Sequence, residues 1–349
     1  MKAALAGRVS PQSLVSAVFR LREIGILLAL GVAVVFFAIR ATNFMSVSNW
    51  QGIAQNVAIV LVVAVGETMV VLTRNIDLSV GSIVGLTAYL SAATFAHHSG
   101  SPLFVVALIA IGIGVLCGLV NGVLVAVAKV PSIIATLATL AIFRGIDVKI
   151  TGGGNITAYQ LPDRFPKLAS EKPAGLPALA WVAAGVAIVG AATVRWAPWG
   201  RDFYAIGSNP EAARFAGIPV GRRVITAFAI SGGLAGLGGF MFASRFPTVD
   251  AVAAKGFELD VITAVVIGGV NVFGGSGTIL GVVLGGLLVA VIQDGFTLLR
   301  ISEFWRLFFN GFAIVVVVAI DALVTRRLQE ALRRRRAEAL AARHAEAGA

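Results

Sequence analysis

Ten stretches of almost unbroken apolar residues, separated by short polar or glycine-rich breaks, dominate this 349-residue chain. They run at about 24–40, 52–73, 79–96, 103–128, 131–148, 177–195, 223–244, 259–271, 277–297 and 305–323. A run of ~20 helical residues crosses the ~30 Å hydrocarbon core of a bilayer. Within that core only helices or closed barrels satisfy their own backbone. The sequence therefore predicts an all-α polytopic membrane protein with about ten transmembrane helices. The run at 259–271 is too short to span alone, so it either extends through polar residues or is a broken helix.

Composition excludes the soluble classes. Apolar residues make up 58% of the chain and charged residues 13%, with a mean hydropathy of +0.92. Soluble domains carry about 25% charge, and disordered chains carry far less apolar side chain. The single cysteine, Cys117, excludes an intramolecular disulfide and a cysteine metal cluster. Three histidines without an HExxH pattern argue against a histidine metal centre. The net charge of +11 does not indicate a nucleic-acid partner, because the basic residues gather at the chain ends and between the apolar runs. That is the positive-inside pattern of a protein whose partner is membrane lipid.

Ten spans place both termini on one side. With the N-terminus inside, 18 of the 28 Lys and Arg residues fall on the inner face, which favours an N-in, C-in arrangement. The expected organisation is a cytoplasmic segment at 1–23, a membrane domain at 24–323 and a basic cytoplasmic tail at 324–349. The first run follows Lys2, Arg8, Arg20 and Arg22 and lacks a clean cleavage site, so it reads as a retained span. Two loops are long: 149–176 outside and 196–222 inside. The other connections are expected to be tight, leaving no room for a soluble catalytic domain.

The polar breaks carry the chemistry. Between the second and third runs lies Thr73-Arg-Asn-Ile-Asp-Leu-Ser-Val-Gly-Ser82, with Glu67 ten residues before Asp77. Asp77 or Ser79 suits a helix N-cap. An ionisable group inside an apolar run usually faces a bundle interior or a water-filled cavity. Two readings remain open: a capped turn with Glu67 paired to Arg74, or a broken-helix element lining a solute path. Gly81-Ser-Ile-Val-Gly85 and Gly277-Thr-Ile-Leu-Gly281 align at an offset of 196, which fits either an internal repeat of hairpins or chance. Small-xxx-small stripes at Gly114/Gly118/Gly122, Gly232/Gly236 and Gly277/Gly281/Gly285 predict close helix packing.

The inside loop holds a short helix. Ser208 or Asn209 suits its N-cap, Pro210 its first position and Glu211 its first-turn dipole, while Gly217 suits its end. A two-turn helix over 210–216 on the cytoplasmic face is a docking element for a partner protein, or otherwise a plain surface loop.

These residues together resemble a family. Asn75-Ile-Asp-Leu-Ser-Val-Gly81, the Gly200-Arg-Asp-Phe-Tyr-Ala-Ile-Gly207 loop with Asn209 and Glu211-Ala-Ala-Arg214, and Gly268-Gly with Phe273-Gly-Gly-Ser-Gly277 look like the permease subunits of ribose-type ABC sugar importers. The resemblance covers about residues 20 to 325. Within the family, finer matches at Leu72-Thr-Arg-Asn-Ile-Asp77, Asn121-Gly-Val-Leu-Val125, Ile134-Ala-Thr-Leu137, Thr151-Gly-Gly153 and Leu299-Arg-Ile301 look most like the autoinducer-2 and rhamnose permeases. Glu67 departs from the glutamine common in the family at this place.

The resemblance implies a subunit of the bacterial inner membrane that moves a simple sugar or sugar-like solute and is not itself an enzyme. It implies a second permease chain, identical or paralogous, and a periplasmic or lipid-anchored sugar-binding protein. ATP and Mg would belong to a separate cytoplasmic ATP-binding subunit, with no cofactor on this chain. Gly207, Asn209, Glu211, Ala212, Ala213, Arg214 and Gly217 would form the ATPase-coupling helix. A sugar path needs hydrogen-bonding groups and aromatic faces, for which Asn56, Glu67, Asn75, Asp77, Ser79, Asn271 and Phe273 are the candidates. The alternative is an ion-coupled secondary transporter, which would need charged relays at the midplane. A membrane-embedded hydrolase would need a Ser/His/Asp or metal constellation that the sequence lacks.

Overall fold

The computed structural model describes residues 11–319, apart from 247, 303 and 306; the basic tail lies outside the described residues. Long helices follow one another as the apolar runs dictate. They are α1 (Pro11–Arg40), α2 (Val47–Leu72), α3 (Val80–His97), α4 (Leu103–Ala126) and α5 (Ser132–Thr151). After the outer loop come α6 (Arg164–Ser170), α7 (Ala178–Trp196), α8 (Pro198–Ser208), α9 (Pro210–Phe215) and α10 (Val220–Arg245). The chain continues through α11 (Phe257–Ile267), α12 (Ile279–Leu298) and α13 (Leu307–Ala319).

Each of the ten expected runs holds a helix, the last described only to residue 319, but the described residues hold seven helices long and apolar enough to cross a bilayer. The other three are α5, which carries Arg144, Asp147 and Lys149, the 11-residue α11, and the short α13. At ~1.5 Å per residue, α11 rises only about 16 Å. It is a half-height helix, as its short apolar run anticipated.

Burial divides the helices by role. The most apolar window of α2 is 83% buried, whereas that of α1 is 11% buried. A helix that is apolar on every side belongs in the interior, and α2 packs against α7, α10, α11 and α12. The exposed leucines, valines and phenylalanines of α1, including Leu28, Val32 and Phe36, face outward as a lipid-facing helix requires.

Two connections are more elaborate than the apolar pattern foretells. The outer loop carries a strand, β1 (Asn155–Thr157), which pairs antiparallel with β2 (Thr248–Asp250) in the connection between α10 and α11. Three-residue strands leave no period in a sequence. The inner loop holds α8 ahead of the expected short helix. Gly81 lies within the first turn of α3, whereas Gly277 precedes α12 at φ +151, so the two aligned glycines sit differently against their helices.

The glycine stripes do serve close packing. A Cβ on Gly114 would meet the carbonyl of Gly232, one on Gly118 that of Phe228, and one on Gly236 that of Ala110. The α4 and α10 backbones therefore touch, which only glycine permits. Gly281 and Gly285 abut Gly268 and Ala264 in the same way, joining α12 to α11. Gly118→Leu is expected to force these backbones apart and destabilise the fold by about 1–3 kcal/mol or more. Gly112→Leu is expected to be tolerated, because nothing lies within 4 Å of a Cβ there. Thermal unfolding of the two detergent-purified variants checks the contrast; equal melting temperatures would contradict it.

Candidate functional site

The break between α2 and α3 brings together groups from four helices. The backbone N–H of Asp77 donates to Glu67 Oε1 at 3.0 Å. Asp77 Oδ1 accepts from the N–H of Ser79 at 2.9 Å and from its hydroxyl at 2.6 Å. Ser79 does not cap α3 with its side chain. Asn121 of α4 donates to Ser79 Oγ at 2.7 Å and to Asp77 Oδ1 at 3.2 Å, and its own Oδ1 accepts from Thr139 of α5 at 2.7 Å. Thr136 of α5 donates to the Ile76 carbonyl. Glu67, Asp77, Ser79 and Asn121 have no exposed surface.

This arrangement answers a problem of solvation. A helix break in a water-poor interior strands backbone groups, and each needs a partner. The carboxylates supply them. Glu67 is not paired to Arg74, contrary to the first of the two readings of this turn. Arg74 instead leaves the turn and donates through Nε to the carbonyl of Gly207 and through Nη2 to that of Ser208 at 2.9 Å. Of the expected path residues, Asn75, Asp77 and Ser79 thus lie on one turn, with Glu67 of α2 bonded to it; Asn75 donates to Thr73. Asn121 and Thr139 complete the cluster without having been singled out as site residues. A lone Asn in an apolar helix was the available signal.

Asn271 and Phe273 lie on the second turn, between α11 and α12. Asn271 Oδ1 accepts from the N–H of Phe273 at 2.8 Å, and the Phe273 ring is exposed. This turn meets the first one: the N–H of Gly275 donates to the Leu72 carbonyl at 3.1 Å. Gly207 is wedged between them, where a Cβ would meet the Leu72 carbonyl and the Gly275 nitrogen. Tyr204 of α8 donates to the Gly277 carbonyl at 3.0 Å, and burial raises its phenol pKa. Asn56 stands apart from both turns, exposed on the outer half of α2 beside a cleft.

The short helix of the inside loop is built by its caps. Asn209 Oδ1 accepts from the N–H groups of Glu211 and Ala212, each at 3.0 Å. At the other end Gly217 adopts φ +82, its N–H bonds the Arg214 carbonyl, and Ile218 N–H bonds that of Ala213. That pair of bonds is a Schellman closure. Glu211, Ala212 and Arg214 are exposed, whereas Ala213 is buried and faces its own fold. Phe215, which sequence reasoning passed over, is 94% exposed.

Residues 49–318 match the family described as branched-chain amino acid transport system / permease component. The chain is 36% identical over 313 residues to the autoinducer 2 import system permease protein LsrC of Salmonella typhi, covering 90% of this chain and 89% of that one. It is 36% identical over 317 residues to the protein of the same name from Escherichia coli strain K12 / DH10B, covering 90% of each. No solved structure matches the chain.

Asn121→Leu removes the donors to both Asp77 and Ser79 and leaves a buried carboxylate short of partners. It is expected to lower stability by about 2–3 kcal/mol. Glu67→Gln keeps an acceptor for the Asp77 N–H and is expected to be the milder change. Denaturation of the detergent-purified variants distinguishes them, and an Asn121→Leu protein as stable as wild type would contradict the role given to the cluster.

Proposed function

The chain belongs to the branched-chain amino acid transport system permease-component family, and from that membership we propose the membrane-spanning subunit of an ATP-driven importer of a simple sugar or sugar-like solute. It is a transport subunit of the bacterial inner membrane and not itself an enzyme. The solute class is autoinducer 2, rhamnose or a pentose. The observation that carries this choice is the 36% identity, across nine-tenths of the chain, to permeases of autoinducer 2 import.

In this reading two permease chains pair, and a periplasmic or lipid-anchored binding protein delivers solute to the outer face. ATP and Mg act on a separate cytoplasmic ATP-binding subunit. That subunit docks on α9, with Glu211, Ala212 and Arg214 on the contact face and Phe215 as its anchor. Asn209 and Gly217 hold the helix, Ala213 seats it, and Gly207 transmits its position to the spans. Asn56 lines the solute path. Asn75, Asp77 and Ser79, with Glu67 of α2 bonded to them, and Asn271 and Phe273 belong to the paired turns that move with the docking helix.

The doubly capped α9, bearing an exposed phenylalanine, supports this reading. Phe215→Ala removes a side chain that touches water and should leave folding intact, while lowering ATP-dependent uptake at least tenfold through loss of an interface anchor. Uptake and ATPase co-purification in the native host check it. Uptake is also expected to stop on ATP depletion and to persist with an uncoupler. The opposite pattern would favour ion coupling.

A further inference from the structure

The half-height of α11 leaves a space in the outer half of the bundle. Above its start the chain runs from β2 through a turn in which Ala254 and Gly256 take positive φ values of 54° and 82°. Arg144 of α5 pins that turn, donating to the Ala253 carbonyl at 2.7 Å. A cleft of about 440 Å³ opens beside it, between α2, α10, α11 and α12. A second cavity of about 150 Å³ adjoins it, and Asn56, Val60 and Gln293 line both.

The lining has two chemistries. Phe242 and Phe246 lie with ring centroids 4.2 Å apart and planes tilted by 35°, and Phe257 also lines the cleft. Asn56, Lys255, Asp260 and Gln293 add polar and charged groups to the same lining. Gln293 Nε2 donates to Asp260 Oδ1 at 2.7 Å, and Asn310 Nδ2 donates to the same oxygen at 2.6 Å. Asp294, lining the smaller cavity, is held by Asn49 at 2.7 Å. Amides and carboxylates at this depth do not face hydrocarbon without large cost. The cleft is therefore water-filled or covered by protein. Its volume falls within the ~300–1,000 Å³ of small-molecule sites.

We propose that this outer cleft is the solute-contacting subsite of the pathway, taking a compact polyhydroxylated solute whose carbon face lies on Phe242, Phe246 and Phe257 and whose hydroxyls meet Asn56, Asp260 and Gln293. The proposal rests on the importer reading above and adds the place and the contacts. The phenylalanines supply apolar faces with little conformational entropy to lose, and the Gln293 amide is held by Asp260. The buried Asp77 cluster, by contrast, offers no surface to a solute.

The test uses the full-length chain with Cys117 replaced by alanine, in membranes of the native host. Asn56→Cys and Gln293→Cys are expected to react with a charged, membrane-impermeant thiol reagent from outside, whereas Val32→Cys on the lipid-facing side of α1 is not. One of autoinducer 2, L-rhamnose or D-ribose is expected to protect both cysteines, and leucine is not. In parallel, Asn56→Ala and Phe257→Ala are expected to lower uptake of that same solute about tenfold, with ATPase co-purification unchanged. Inert cysteines, or full uptake by both alanine variants while wild type imports a probe, would overturn the subsite and leave the importer reading standing. Protection by leucine alone would overturn the solute chemistry. A wild-type protein that imports none of the three would instead overturn the importer reading, and the subsite with it.

Discussion

Asp77 sits fully buried at a break in a helical pair, and the bonds that satisfy this break organise the molecule. Its carboxylate takes the Ser79 N–H and hydroxyl and the Asn121 amide, while its own N–H goes to Glu67. Three helices beyond α2 are thereby fixed against one turn. Removing any one partner leaves another buried and unmatched, which costs more than the net worth of the bond itself. The cluster therefore fixes where the turn sits and frees Arg74 to point away from it.

Arg74 carries that position to the surface. It reaches across to the end of α8, where Gly207 lies against the Leu72 carbonyl and the Gly275 nitrogen. The α2–α3 turn, the α11–α12 turn and the α8–α9 element thus form one contact region at one end of the bundle. The glycine faces of α4, α10 and α12 bring these spans into close contact with one another and with the end of α11. At the opposite end the half-height α11 leaves the outer cleft.

Much of this was legible in the sequence because it obeys local rules. The apolar runs gave helix positions, the spacing of glycines gave the packed faces, and Asn209, Pro210 and Gly217 marked α9 with its caps. The short run at 259–271 already marked a segment too short to span alone, with a broken helix as one of its two readings. What could not be read depends on contacts between distant segments. Asn121 meets Asp77 across 44 positions, and nothing local to either residue announces the other. Ala213 turns inward and Phe215 outward because α9 leans on its neighbours, a rotation that six residues cannot encode. The β1–β2 ribbon is too short for a period, and the cleft exists only once α2, α10, α11 and α12 stand together.

The end of α8, from which α9 continues, is joined to the α2–α3 turn through Arg74. Arg74 has φ +67, a conformation glycine adopts freely, so Arg74→Gly removes the two carbonyl contacts without straining the backbone. The direct measurement is solute taken up per ATP hydrolysed, in vesicles holding this chain with its ATPase and binding protein. The account predicts an ATPase that still docks and hydrolyses, with uptake per ATP reduced by about tenfold or more. Wild-type uptake per ATP in the Arg74→Gly protein would contradict it.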